Sequence, residues 1–313
     1  MLPLIARRIL ATIPVMGVVA LTVFGLLHLT PGDPAVIIAG DYATTQDIER
    51  IRARLGLDRP LLAQAGLWLA SVARGDLGVS IYSGLPVTRL IGQRVGPTAA
   101  LTALAMLISV TLAVPLGVLA AWRQGSWLDR AIMIFSVSGF SMPVFWLGFL
   151  LVWVFAIQAG VLPVQGYQPL EAGPWQFLRH LVLPAVTLSL VYMALIARMT
   201  RASVLGVLRE DYIRTAFAKG LAPRRVLLAH ALKAASLPVV TIIGVGFALL
   251  IGGAVVTESV FAIPGLGRLT VDAIVRRDYP VVQGVVLVVS GVYVLLNLVI
   301  DVVYVVLDPR IRY

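Results

Sequence analysis

The sequence predicts an all-α, polytopic integral membrane protein, and two properties of the chain carry that prediction. Hydrophobic residues fill 59% of the 313 positions while only 13% are charged, which gives a mean hydropathy of +0.96. The apolar residues are also gathered into runs of about 20, the length a helix rising 1.5 Å per residue needs to cross about 30 Å of hydrocarbon. A soluble fold of this size cannot hide so much apolar surface.

Six runs meet that length, near 9–29, 99–121, 131–158, 181–200, 238–258 and 284–306. The first follows Arg7 and Arg8 as a secretory signal would, but it is too long for a signal core and no A-x-A site follows, so a retained first helix is expected. Pro14, Pro115, Pro143 and Pro184 fall inside spans. They do not argue against helices, because neighbouring helices in lipid can satisfy freed carbonyls.

Basic residues in short connections resist translocation, and here they are lopsided. One side would hold Arg7, Arg8, Arg123, Arg130, the eight cations from Arg198 to Lys233, Arg310 and Arg312, against Asp129, Glu210, Asp211 and Asp308. That side carries the whole net charge of +10. Both termini are therefore expected in the cytoplasm, in a multi-pass membrane protein. A nucleic-acid surface would want cations interleaved with aromatic platforms on a soluble face, whereas these sit beside spans.

Residues 30–97 would then form an extracytoplasmic insertion after the first helix. Its stretch TTQDIERIRARLGLDRPLLAQAGLWLASVARGDLG has the spacing of short amphipathic helices broken by Gly and Pro. The expected organisation is residues 1–29 as N-terminus and first span, 30–97 as the external helical segment, and 98–313 as a core of five spans. That core includes a long cytoplasmic loop, 201–237.

This loop contains DYIRTAFAKGLAPRRVLLAHALKAASLP, Asp211 to Pro238. Tyr212 with Ala216 and Ile213 with Phe217 are i,i+4 pairs, so a short amphipathic helix is expected. Gly220 offers a position able to take positive φ, and Pro223 can open a second helix. On pattern alone, two readings stand. The pair could lie on anionic lipid, which its cations favour, or plug its apolar anchors into a groove on a partner protein.

The run from Asp211 resembles the EAA loop of ABC importer permeases, in the DY-x-RTA-x-AKG form of the dipeptide and oligopeptide class. By that resemblance Ala216 and Gly220 match the motif's second Ala and its Gly, Arg214 stands at the Glu position, Thr215 at the first Ala, and Phe217 replaces the commoner Arg. HLTPGDPA, SGFSMPVFWLG, RMTRASVLGVLREDY, ESVFAIPGLGRL, RRDYPVVQG and NLVIDVVYVVLDPRIRY look, in order, like the B-type permease subunit of that class. The resemblance covers essentially the whole chain. It implies the type I importer permease fold and a role for Tyr212, Arg214, Thr215, Ala216, Phe217, Lys219 and Gly220 in coupling to a cytoplasmic ATPase. It also implies a second homologous permease, two ATPase subunits that bind ATP and Mg, and an extracytoplasmic substrate-binding protein. The implied cargo is a dipeptide, an oligopeptide or a glutathione-like peptide.

Enzyme readings find no support in the residues. No G-x-x-x-x-G-K-[ST] occurs, and neither Lys219 nor Lys233 follows a Gly. His28, His180 and His230 are scattered without metal-ligand spacing, there is no Cys, and no cofactor is expected in this chain. Ser136, Ser138 and Ser141 lack a G-x-S-x-G frame. Their small hydroxyls suit close helix packing or, for Ser138 and Ser141 together with Asn297, the lining of a translocation path. Glu258 and Asp301 lie nearest lipid depth; snorkelling or pairing with Arg is the expectation for both. A gradient-driven secondary transporter, which would use such acids as a relay, is the alternative function.

Overall fold

The computed structural model describes residues 2–29, 34–39, 44–54 and 56–307. Among the described residues every regular element is helical, and the one strand-like pairing is an isolated bridge between Val79 and Pro86. In chain order the helices are α1 (Leu2–Leu29), α2 (Pro34–Ala39), α3 (Thr45–Arg54), α4 (Leu61–Ala73), α5 (Val87–Trp122), α6 (Trp127–Ser141) and α7 (Val144–Leu151). They continue with α8 (Pro174–Leu208), α9 (Asp211–Ala218), α10 (Pro223–Arg225), α11 (Leu232–Val260), α12 (Leu266–Val275) and α13 (Tyr279–Leu307). Parts of two sequence motifs, at 30–33 and 308–313, with Arg310 and Arg312, lie outside the described residues.

Among the described residues four helices are long and apolar enough to cross a membrane, and a fifth crossing results if α6 and α7 count as one. The first predicted span, 9–29, lies within the 28-residue helix α1. The predicted span 131–158 is broken: α6 and α7 meet at 107°. Pro143 is the cause, since its ring disfavours helical geometry at the residue before it, and Met142 takes φ −85°, ψ 132°. Pro14, Pro115 and Pro184 do lie inside helices, as does Pro238.

The second helix expected after Gly220 is not separate from the fifth span either. Pro223 opens it, as predicted, but α10 runs through a π-helical segment, Val226–Ala231, directly into α11. The result is one apolar helix from Pro223 to Val260.

The chain divides into two compact units, residues 1–94 with 269–295 and residues 95–268 with 296–313. In the first, the Phe24 ring of α1 meets Trp68 of α4 at 5.8 Å, and Gln283 Nε2 of α13 donates to the Val23 carbonyl at 3.2 Å. The loop before α5 is fastened by Asp278, which is 4% exposed and accepts from Ser80 Oγ at 2.5 Å and Ile81 N at 3.1 Å.

In the second unit α8 is the most enclosed span, with two thirds of its apolar window buried. Glycines on its neighbours let backbones approach it. A Cβ at Gly117 would lie 2.6 Å from the Ala197 carbonyl, and one at Gly253 would lie 2.9 Å from the Tyr192 hydroxyl. Close backbone approach of this kind is how helices associate in lipid, where burial of apolar surface gives no driving force.

Candidate functional site

The loop between α8 and α11 carries the sequence's most distinctive residues, and its shape follows from local chemistry. The chain leaves α8, turns through an extended Glu210 (φ −72°, ψ 146°), and forms α9. Ile213 and Ala216, 1% and 7% exposed, pack with Val226 and Ala231, against which Val207, Leu208 and Leu221 also lie. Burying the Ile213 side chain alone is worth about 1.5–3 kcal/mol. The pairing read from the sequence is thus corrected: the seated pair is Ile213 with Ala216, because that spacing points toward the π-helical segment behind α9.

Tyr212 and Phe217 are left outside, 48% and 41% exposed. Partial burial and the neighbouring Glu210 carboxylate push the Tyr212 hydroxyl up from its ordinary pKa, so it stays a neutral hydrogen-bonding group. Arg214 pairs with Asp211 at 3.2 Å, both well exposed, and Thr215 Oγ1 donates to the Asp211 carbonyl at 3.0 Å. Lys219 is the last residue before the turn.

Gly220 then takes φ +76°, as the sequence predicts. Its N–H donates to the Phe217 carbonyl at 2.9 Å and that of Leu221 to the Ala216 carbonyl at 3.3 Å. This is the Schellman closure, with Leu221 making its usual apolar contact back onto the helix. No atom lies within 4 Å of a Cβ built at Gly220. Conformation, not space, is what calls for glycine there.

An ion pair missed by sequence reasoning ties α8 to α6. Arg201 Nε and Nη2 donate to the two oxygens of Asp129 at 2.5 and 2.7 Å, and Gly125 N donates to Asp129 Oδ2 at 3.0 Å. The Asp129 side chain is 5% exposed. A two-pronged guanidinium contact of this kind is directional as well as strong. The signal available in the sequence was a lone acid among the cations of a short connection.

Glu258 does not snorkel: fully buried, it accepts from Thr98 Oγ1 at 2.5 Å and from the Arg268 backbone N at 3.0 Å. Thr98 Oγ1 in turn accepts from Leu266 N at 2.8 Å. The carboxylate therefore anchors the start of α12. Of the three residues expected on a translocation path, Ser138 is half-buried, while Ser141 and Asn297 are exposed; Ser141 Oγ donates back to the Val137 carbonyl at 2.9 Å.

Known proteins share this sequence pattern and this fold. Residues 113–313 match the family described as the binding-protein-dependent transport system inner membrane component, and residues 1–102 match the N-terminal family of the same systems. The chain belongs to this family. Similar full-length proteins include a probable peptide ABC transporter permease of Sinorhizobium fredii, 52% identical over 309 residues with 99% of each chain covered. The dipeptide transport system permease protein DppB of Alkalihalophilus pseudofirmus is 40% identical over 333 residues, and the glutathione transport system permease protein GsiC of an Escherichia coli strain is 45% identical over 313, each with both chains covered completely. A chain of the inward-facing MetNI methionine ABC transporter superposes with a TM-score of 0.60 at 19% identity, over 71% of this chain and 97% of that one.

The all-α polytopic fold of an ABC importer permease is therefore that of this protein, and its relatives are permease components, not enzymes. As a member of this inner-membrane family it works in a system that employs a binding protein. A self-sufficient gradient-driven carrier is not favoured.

Proposed function

We propose that this permease carries peptides across the inner membrane, moved by ATP hydrolysis in partner subunits that dock on α9. One observation supports this most: α9 is seated on its own protein through Ile213 and Ala216, and offers Tyr212 and Phe217 outward as unpartnered apolar side chains. A helix lying on lipid would bury its apolar face in the bilayer; this one has spent that face on the permease and keeps a second for a groove.

The full machine is a second homologous permease, two ATPases that bind ATP and Mg, and an external substrate-binding protein. Peptide, dipeptide and glutathione permeases among the relatives support a peptide cargo. Arg214, Thr215, Lys219 and Gly220 complete the docking surface. Ser138, Ser141 and Asn297 face the aqueous path, where hydroxyls and an amide exchange hydrogen bonds without selecting a side chain. Both termini lie in the cytoplasm and residues 30–97 outside, with the loop 201–237 inside among the cations.

The decisive experiment uses the reconstituted complex. Phe217→Asp should leave assembly of the permease in the membrane intact while abolishing the stimulation of ATP hydrolysis by the loaded binding protein. Full stimulation with poor membrane insertion would instead make α9 a lipid anchor. Because the chain has no Cys, a Cys at Gln64 reports sidedness: labelling by an impermeant reagent from outside the cell is expected, and labelling only after access from the cytoplasm overturns the topology.

A further inference from the structure

Between α6 and α8 lies a cleft lined by Ser136, Phe140, Ala194, Leu195 and Arg198. Two of these are chemically unfinished. Ser136 is 3% exposed and its Oγ has no hydrogen-bond partner, although a buried hydroxyl in a helix ordinarily satisfies itself on the preceding turn. Arg198 is exposed and, among the described residues, pairs with no acid. The Asp129 carboxylate is already taken by Arg201, one turn further along α8, and by Gly125 N.

The walls of the cleft are fixed at both ends. On one side the Arg201–Asp129 pair holds α8 to α6. On the other, Gly139 brings the two helices together, since a Cβ there would already touch the Leu190 carbonyl at 3.4 Å and Ala194 Cβ at 3.8 Å. An unpaired guanidinium and an unpaired hydroxyl thus line one space between two pinned helices, with the Phe140 ring beside them, 58% exposed.

We propose that this cleft is a carboxylate subsite on the transport path, where Arg198 and Ser136 hold the C-terminal carboxylate of a peptide in transit. The proposal rests on the peptide reading above for its ligand. A guanidinium fork suits a planar carboxylate, and a hydroxyl donor completes the contact. A lipid phosphate presents the same charge and acceptor oxygens, so the test must separate the two.

The probe is a Cys at Leu195, in the purified permease–ATPase complex in nanodiscs of phosphatidylcholine alone, without ATP or binding protein. An anionic methanethiosulfonate reagent should modify it about tenfold or more faster than a cationic one, since a charged cleft concentrates the opposite ion. Arg198→Gln should remove that preference and Arg198→Lys should keep it. A millimolar dipeptide should slow the anionic reagent, and the same dipeptide with an amidated C-terminus should not. Ser136→Ala should weaken this protection while leaving the charge preference in place.

Equal rates for the two reagents, or a preference indifferent to Arg198→Gln, would overturn the proposal. So would protection that appears only when phosphatidylglycerol is added and never with the dipeptide, which would assign the cleft to a lipid phosphate. Because no ATP or binding protein is involved, this outcome is independent of whether α9 couples to an ATPase.

Discussion

The turn after α9 and the turn after α11 close their helices in the same way and are held by opposite means. Each has the paired backbone bonds of a Schellman closure: Gly220 to Phe217 with Leu221 to Ala216 in the first, Ala262 to Ser259 with Ile263 to Glu258 in the second. Each needs a residue at positive φ, +76° at Gly220 and +51° at Ala262. The first lies in open space, so only glycine's freedom supplies the conformation. The second is built around a fully buried carboxylate, and an alanine is held there at a cost of about 1–2 kcal/mol because its surroundings over-determine it. Glycine still appears nearby, but for space. A Cβ at Gly265 would fall inside the Glu258 carboxylate, and one at Gly267 would lie 2.5 Å from Val255 Cα. An exposed turn is therefore specified by its own backbone, and a buried one by its neighbours.

The most disruptive test of that contrast is Gly267→Ala. Its new methyl meets backbone that cannot swing aside, so destabilisation at or above about 3 kcal/mol, the upper end for overpacking, is expected. Thermal unfolding of the detergent-solubilised protein measures it, and a near-wild-type Tm would mean the turn is far more pliable than its contacts indicate. Next comes Glu258→Gln, which replaces an acceptor-only carboxylate by an amide facing Thr98 Oγ1 and the Arg268 N–H. A loss of about 1–3 kcal/mol is expected from the stranded donors, and Thr98→Val in the same background should add little, because the two share one network.

The two positive-φ residues should respond with opposite signs. Ala262→Gly should stabilise and Gly220→Ala should destabilise, each by about 1 kcal/mol. If both are destabilising to the same extent, Ala262 carries no strain and the comparison fails. Gly220→Val should add a functional signature absent from any variant at 262: the protein folds, but hydrolysis by the docked ATPases no longer answers the binding protein. The smallest effect belongs to Arg214→Ala, which removes an exposed pair with Asp211 and should change stability by less than about 0.5 kcal/mol. A larger loss would place Arg214 in a contact beyond that pair.

Much of the molecule is legible in the order of its residues. Apolar run length determines the helical class and locates most spans, since hydrocarbon thickness and helix rise leave little choice. The positive φ of Gly220 and the helix start at Pro223 follow from single residues, because their backbone constraints are local and independent of context. The family is legible as well, from motifs placed in order along the chain.

Other features depend on what comes together in space. Whether a proline interrupts its helix, as Pro143 does and Pro184 does not, depends on neighbours that either replace the lost hydrogen bond or let the chain turn. Which of Tyr212, Ile213, Ala216 and Phe217 is buried depends on where the π-helical segment 226–231 places its own apolar face. Asp129 finds Arg201 across 72 positions, Glu258 finds Thr98 across 160, and Ser80 finds Asp278 across 198. No local pattern records such pairs, because a carboxylate's partner is set by the geometry of packed helices. The sequence by itself determined which segments are helices and which family they build; only the tertiary structure decided which polar groups are satisfied, and so left Ser136 and Arg198 visible as two that are not.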